Sequence, residues 1–224
     1  MTVLHLADEG EAADLAAFLS RLLHYDRGAA VRLQAAGTAL AVFGRPPSFE
    51  VLAIRAARLA KPYENGLDVT LDVTVSAGEL LEAVDESAAT ALVPAAVTGP
   101  PWAGVLPPRS GWRPEPGLPA PDDLRALVGA AVAEFRARSE ELDPDRRTRA
   151  ELDRIGREIW SREVGTTALP VRAVHAAQSL GFLRASGEPA LFSAASWLRL
   201  RTPYGSIAVR RAAGLGSLGV SVSR

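Results

Sequence analysis

Between Pro94 and Pro121 the chain runs PAAVTGPPWAGVLPPRSGWRPEPGLPAP, a stretch with nine of the sixteen prolines, four glycines and two of the four tryptophans. Proline has no backbone N–H and a fixed φ, so nothing this dense in it runs through a helix interior or a central strand. The stretch divides the chain into an α+β lobe over 1–96, a Pro/Gly/Trp-rich strap over 97–121 and a helical lobe with a basic β-hairpin over 122–224. Val97, Trp102, Val105, Leu106, Trp112 and Leu118 make the strap too apolar for a solvated tether. The expectation is a packed crossing segment pinned at Trp102 and Trp112 and loosest over 114–119.

The first lobe alternates strand and helix signals. Thr2–Ala7 is a short strand, and Asp8 with Glu11 has the spacing of a helix cap, followed by Leu15, Phe18, Leu19 and Leu22 on one face. That helix is expected over 9–24, with Gly28 as its left-handed terminator. A hairpin follows over 30–43, broken by Gly44-Arg45-Pro46-Pro47, and then a strand within Phe49–Ala60. Over Leu67–Val75 apolar residues alternate with Asp68, Thr70, Asp72 and Thr74, the period of a strand with one buried and one acidic face. Ser76 and Glu79 cap a short helix, and Thr90–Val93 is a last apolar run.

Beyond the strap, Pro121 suits a first helical position, with Leu124, Leu127, Val128, Ala131, Val132 and Phe135 forming a stripe to about Leu142. Thr148 and Glu151 open a second helix that Gly165 closes, and a third spans Pro170–Leu180 before Gly181. A basic hairpin occupies Ser196–Arg201 and Ser206–Arg211, and Gly214–Arg224 is a Gly/Ser-rich tail or an edge strand. The fold class is therefore α+β: an N-terminal antiparallel sheet with two helices, the crossing segment, and a three-helix unit with a β-hairpin.

Function is far less legible. With no cysteine there are no disulfides, thiolate nucleophiles or thiolate metal sites. The three histidines, His5, His24 and His175, fall in separate elements, and no two have the spacing of ligands on one helical face. No serine sits in a GxSxG elbow, and neither GxxxxGK nor GxGxxG followed by a helix occurs. Asp68 and Asp72 lie four residues apart on one strand, about 13 Å by strand rise, too far to share a proton. These patterns predict no catalytic residue, no cofactor and no metal.

Charge is the remaining signal. Residues 1–96 carry 7 basic and 13 acidic groups, and residues 165–224 carry 7 and 1. Such a gradient suits an anionic partner for the C-terminal lobe, or acidic and basic faces meeting within the chain or between two copies. The leading expectation is a non-enzymatic interaction or regulatory protein that self-associates as a homodimer. The first alternative is nucleic-acid binding, because helix 149–164, helix 170–180 and the hairpin have the order of a winged-helix unit. Arg172, Arg199, Arg201, Arg210 and Arg211 would then meet nucleic acid or an acidic protein surface. The second alternative is an enzyme or small-molecule binder with an interlobe groove at Trp102 and Trp112. No apolar run reaches the length of a membrane span and the start lacks a basic leader, so a cytoplasmic location without a membrane partner is expected.

Overall fold

The computed structural model describes residues 2–60, 71–184 and 187–211. The first half contains β1 (Val3–His5), α1 (Glu9–Tyr25), β2 (Ala30–Ala36), β3 (Ala39–Gly44), β4 (Leu52–Arg58), β5 (Leu71–Ser76), α2 (Ala77–Glu82), β6 (Val84–Asp85) and β7 (Thr90–Leu92). After the strap come β8 (Arg113–Glu115), α3 (Pro121–Glu140), α4 (Arg149–Trp160), α5 (Val171–Ser179), β9 (Ala190–Ala194), β10 (Trp197–Thr202) and β11 (Gly205–Arg210). The chain is α+β. All strand pairing is antiparallel, in a small sheet ordered β1-β7-β6 and a large one ordered β5-β2-β3-β4-β11-β10-β9-β8.

The large sheet joins the two halves. Four strands come from each, and the junction is β4 against β11, with Leu52, Ala53 and Ile54 opposite Ala208, Ile207 and Ser206. Because strand side chains alternate, one face gathers Val31, Leu33, Leu40, Val42, Val75, Leu198, Leu200, Ile207 and Val209, all buried in a single core with the helices. The other face carries Arg32, Phe43, Leu52, Ile54, Ala208 and Arg199, and the strap crosses it. There Trp102 and Leu106 pack on a second small cluster of Phe43, Leu52, Ile54 and Ala208. Arg32 donates to the carbonyl of Ala103, and Val97 N donates to Thr74 O at 2.9 Å.

Local chemistry explains the helix ends. Asp8, Ser76 and Thr148 each accept a backbone N–H from the residue three ahead, at Glu11, Glu79 and Glu151. α5 ends in a Schellman motif: Gly181 has φ 75°, its N–H donates to Gln178 O, and Phe182 N–H donates to Ala177 O at 2.7 Å. Phe182, buried, then stacks on Phe18 of α1 at 5.8 Å between centroids, an apolar contact across the two halves.

Several sequence expectations need correction. Gly28 is not the left-handed terminator of α1; Asp26 ends the helix in extended geometry and its carboxylate accepts from Gly28 N. Gly165 does not close α4, which stops at Trp160; its φ of 59° serves the following turn, where a β-carbon would stand 2.9 Å from Gly117 O and 3.1 Å from Pro119. The segment expected to be loosest, 114–119, begins inside β8, which pairs with β9. The basic hairpin is not a free wing, since β11 pairs with β4 and β10 with β9. Nor does it meet the acidic strand of its own chain: β5 lies five strand steps from β10, about 24 Å, and Asp72 is bound by Arg32 at 2.7 Å and Gln34 at 3.1 Å. Asp68 and the rest of 61–70, like the tail 214–224, lie outside the described residues.

Candidate functional site

One end of the large sheet, at the junction of the halves, collects the features with chemical potential. Its centre is the loop Arg45-Pro46-Pro47-Ser48-Phe49-Glu50-Val51 between β3 and β4. Two successive prolines stop β3 and start a short 3-10 turn over Pro47–Phe49. The turn ends at Glu50 in left-handed geometry, φ 52° and ψ 37°, a conformation that costs a non-glycine residue roughly 1–2 kcal/mol. Phe49 is buried while Arg45 and Glu50 are exposed, so the loop is anchored by one ring and presents a charge on either side of it.

On the strap side of this loop is an open hollow of about 380 Å³, with Val51, Leu52, Trp102, Val105, Trp197 and Ala208 as its apolar lining. Its charged lining is Arg45, Arg172 and Arg210 against Glu50 alone. The strap supplies Trp102 through a 3-10 turn, Pro101–Gly104, begun by proline and closed by Val105 N to Trp102 O at 2.9 Å. Val105 is 46% exposed. The indole N–H groups of Trp102 and Trp197 have no hydrogen-bond partner among the described residues, whereas that of Trp112 donates to Pro108 O at 2.9 Å.

On the helical side of the same loop a larger hollow, about 970 Å³, lies among α1, α3, α4 and α5. A ladder of rings runs along it: Tyr25 to Phe49 at 5.3 Å, Phe49 to His175 at 5.0 Å, His175 to Trp160 at 4.6 Å and Trp160 to Phe135 at 6.2 Å. His175 is wedged between Phe49 of the first half and Trp160 of the second. Burial there pushes its pKa below the usual 6.5, so the neutral imidazole is the favoured form.

The residues expected to form a basic surface are placed differently from one another. Arg172 is the second residue of α5 and lines both hollows, with its Nε buried and without an acceptor. Arg199 and Arg201 lie on the strap face of β10, over the rings of Trp112 at 5.7 Å and Phe192 at 5.2 Å. Burial, and then the neighbouring charge of Arg201, lowers the pKa of Arg199. Arg210 lies over Trp197 at 5.2 Å, and Arg211 pairs with Glu115 at 2.9 Å. Arg172 and Arg210 thus share one hollow. Trp102 lines it, and Trp112 does not. Of the histidines, His5 and His24 are exposed and His175 is half-buried. Among the described residues no group of three or more His, Asp or Glu side chains is arranged to hold a metal ion. No described helix is long and apolar enough to cross a membrane.

What this defines is an α+β fold in which two four-stranded halves share one sheet, with helices on one face, a strap on the other and open hollows at the seam. The fold is similar to that of a DNA polymerase sliding clamp from Pseudomonas aeruginosa, with a TM-score of 0.52 and 13% sequence identity over 96% of this chain and 65% of the clamp chain. A ligand-containing structure of the clamp from the same organism aligns with a TM-score of 0.46 and 12% identity over 91% of this chain and 63% of that one. The chain therefore spans slightly less than two thirds of the clamp's length. At the level of sequence, residues 1–104 match the model of a domain of unknown function, DUF8010, and residues 107–214 match that of a second, DUF8185. The two matches meet inside the strap. No curated protein matches the sequence.

Proposed function

We propose that this is a non-enzymatic interaction protein that docks a short apolar and acidic segment of a partner protein in the hollow between strap and sheet. The observation that carries this reading is the pairing of an apolar floor, half-buried Trp102 and Trp197 with exposed Val105, with a rim of three arginines against one glutamate. Desolvating the floor supplies affinity, and the rim selects acidic neighbours of the buried residue. The two unpaired indole N–H groups suit the carbonyl oxygens of an extended chain. Likeness to a sliding clamp supports the fold and is consistent with an interaction role, and the residues of the hollow belong to this chain.

Nucleic-acid binding has less support. The five helices together carry 12 acidic and 8 basic residues, the wrong balance for a phosphate-facing layer, and four of the five arginines considered for it are engaged with rings or Glu115. Self-association as a homodimer belongs to the proposal. A head-to-tail ring needs both sheet edges open, whereas β8 is three residues long and contains Pro114, and Val97 occupies part of β5. A two-fold contact needs one patch only. Light scattering is expected to give twice the 23.6 kDa of the chain, and a monomer at high concentration overturns the dimer without touching the docking hollow.

Selection of short random peptides on the immobilised protein tests the docking. Enriched peptides are expected to combine aromatic or aliphatic residues with Asp or Glu, and to bind Val105→Glu or Trp197→Ala about 30-fold more weakly, the loss of one anchor of about 2 kcal/mol. Failure to enrich, or enriched peptides indifferent to both substitutions, overturns the reading.

A further inference from the structure

The hollow on the helical side has a different chemistry from the docking cleft, and none of the function described above uses it. Its wall is the ring ladder of Tyr25, Phe49, His175, Trp160 and Phe135, drawn from both halves of the chain. Its volume, about 970 Å³, leaves room for a small molecule in an open hollow. Gly156 forms part of the lining, and a β-carbon there would sit 3.5 Å from the Trp160 indole and 3.6 Å from the Phe135 ring. Glycine thus keeps that stretch of α4 level with the rings.

The charged lining has one sign in excess: Arg149, Arg157 and Arg172 with Glu50 and Asp153. Arg149 is loosely held by Asp153 at 3.9 Å, whereas Arg157 and Arg172 have no ionic or hydrogen-bond partner among the described residues. The Arg172 Nε is buried without an acceptor, which is an unfavourable state for a charged donor unless something supplies one. The indole N–H of Trp160 is likewise unpaired.

We infer that this hollow binds a small planar aromatic anion, with its ring against the Trp160, His175 and Phe49 wall and its carboxylate or phosphate held by Arg157 and Arg172. A flat ring gains offset or edge contacts with the ladder, and a guanidinium pair matches the geometry of either oxyanion. α5 begins at Pro170 without a side-chain cap, and its first N–H groups add positive potential beside Arg172.

Isothermal titration with adenosine monophosphate and with 1-naphthoate tests this and separates phosphate from carboxylate. At least one is expected to bind with Kd below about 1 mM. Adenosine and inorganic phosphate, which lack the anion and the ring respectively, are expected to be at least about tenfold weaker, as are Arg157→Ala and Arg172→Ala with the preferred probe. Arg157 is exposed, so its variant folds even if that of half-buried Arg172 does not. Gly156→Ala, which adds a methyl in ordinary contact with both rings, is expected to weaken binding with the fold intact. The inference is overturned if neither probe binds in that range, if adenosine binds as well as its monophosphate and naphthoate does not bind, or if affinity survives Arg157→Ala. Arg172 lines both hollows and Arg157 only this one, so Arg157→Ala also separates this site from peptide docking.

Discussion

The two halves of the sheet are built to the same plan and held by different forces. In the first, α1 buries Ala12, Leu15, Phe18, Leu19 and Leu22 along one stripe, and two of its three acidic residues, Glu11 and Asp14, meet Arg55 of β4. In the second, α3 and α4 bury fewer residues and are laced together outside the core by Glu134 with Arg162 and Arg138 with Glu158. Apolar burial is not screened by salt, whereas exposed ion pairs are. The difference therefore assigns most of the stability to the sheet, α1, the seam and α5, which buries Val171, Ala173, Val174, Ala176 and Ala177, and leaves the ion pairs of the α3–α4 layer as the part that responds to salt.

The largest effect is expected at the seam itself. Arg55 is buried, and its Nη2 donates to Glu11 at 2.8 Å while its Nη1 donates to Tyr204 O of the other half at 3.1 Å. Arg55→Ala leaves Glu11 with only its exposed partner Arg58, at 2.9 Å, and removes the donor to Tyr204 O, so it is expected to cost about 3 kcal/mol in urea unfolding; a loss within about 0.5 kcal/mol would mean that apolar contacts alone join the halves. Next is Gly205→Ala. A β-carbon there would stand 2.5 Å from the Phe182 ring, which is fixed by its stack on Phe18, so the overpacking is expected to cost about 1–3 kcal/mol.

Smaller effects separate the conditions that each half feels. Burial lowers the pKa of His175 below 6.5, so an unfolded chain takes up the proton first. Its share of stability is therefore complete above pH 6.5 and falls as the pH drops from there toward the lowered folded value. His175→Phe should flatten the acid limb of a stability profile in that window and leave neutral pH nearly unchanged. Glu158 shifts in the same direction for a different reason: Arg138 foremost, by its hydrogen bond, holds its carboxyl down to about 2 from the usual 4.5. Its contribution is present above 4.5 and is lost as pH falls through about 2. Because the pair is exposed, Glu158→Gln is expected to show the smallest change of the series, and one that vanishes in high salt.

Short-range chemistry made most helices legible in the sequence. Asp8, Ser76, Thr148, Pro121 and Gly181 each act within a turn of where they stand, and each marks a real helix end. Apart from Gly28, whose expected role Asp26 takes two residues away, the expectations that failed depended on partners far along the chain. β9, ALFSA, lacks strong strand character and forms because β10 is beside it; β8 contains a proline and is tolerated only because it lies at an edge. The candidate site was hidden for the same reason. Arg45 to Phe49 signals merely the end of a strand, and nothing local connects Phe49 with His175 or Trp102 with Trp197. Arg172 was singled out for its charge, and only the fold places it at the meeting point of two hollows.

The β4–β11 pairing also bears on how the chain reaches this state. Ile54 must wait for Ser206, so during synthesis the first half presents the β4 edge unpaired until β11 of the second half has been made. A contact so distant in sequence closes late and slowly. Until it closes, the exposed ladder of β4 is a template for any other strand, including the β4 of a neighbouring chain. The two prolines that precede β4 and the arginines at 55 and 58 within it stand where a newly made chain most needs protection from such pairing.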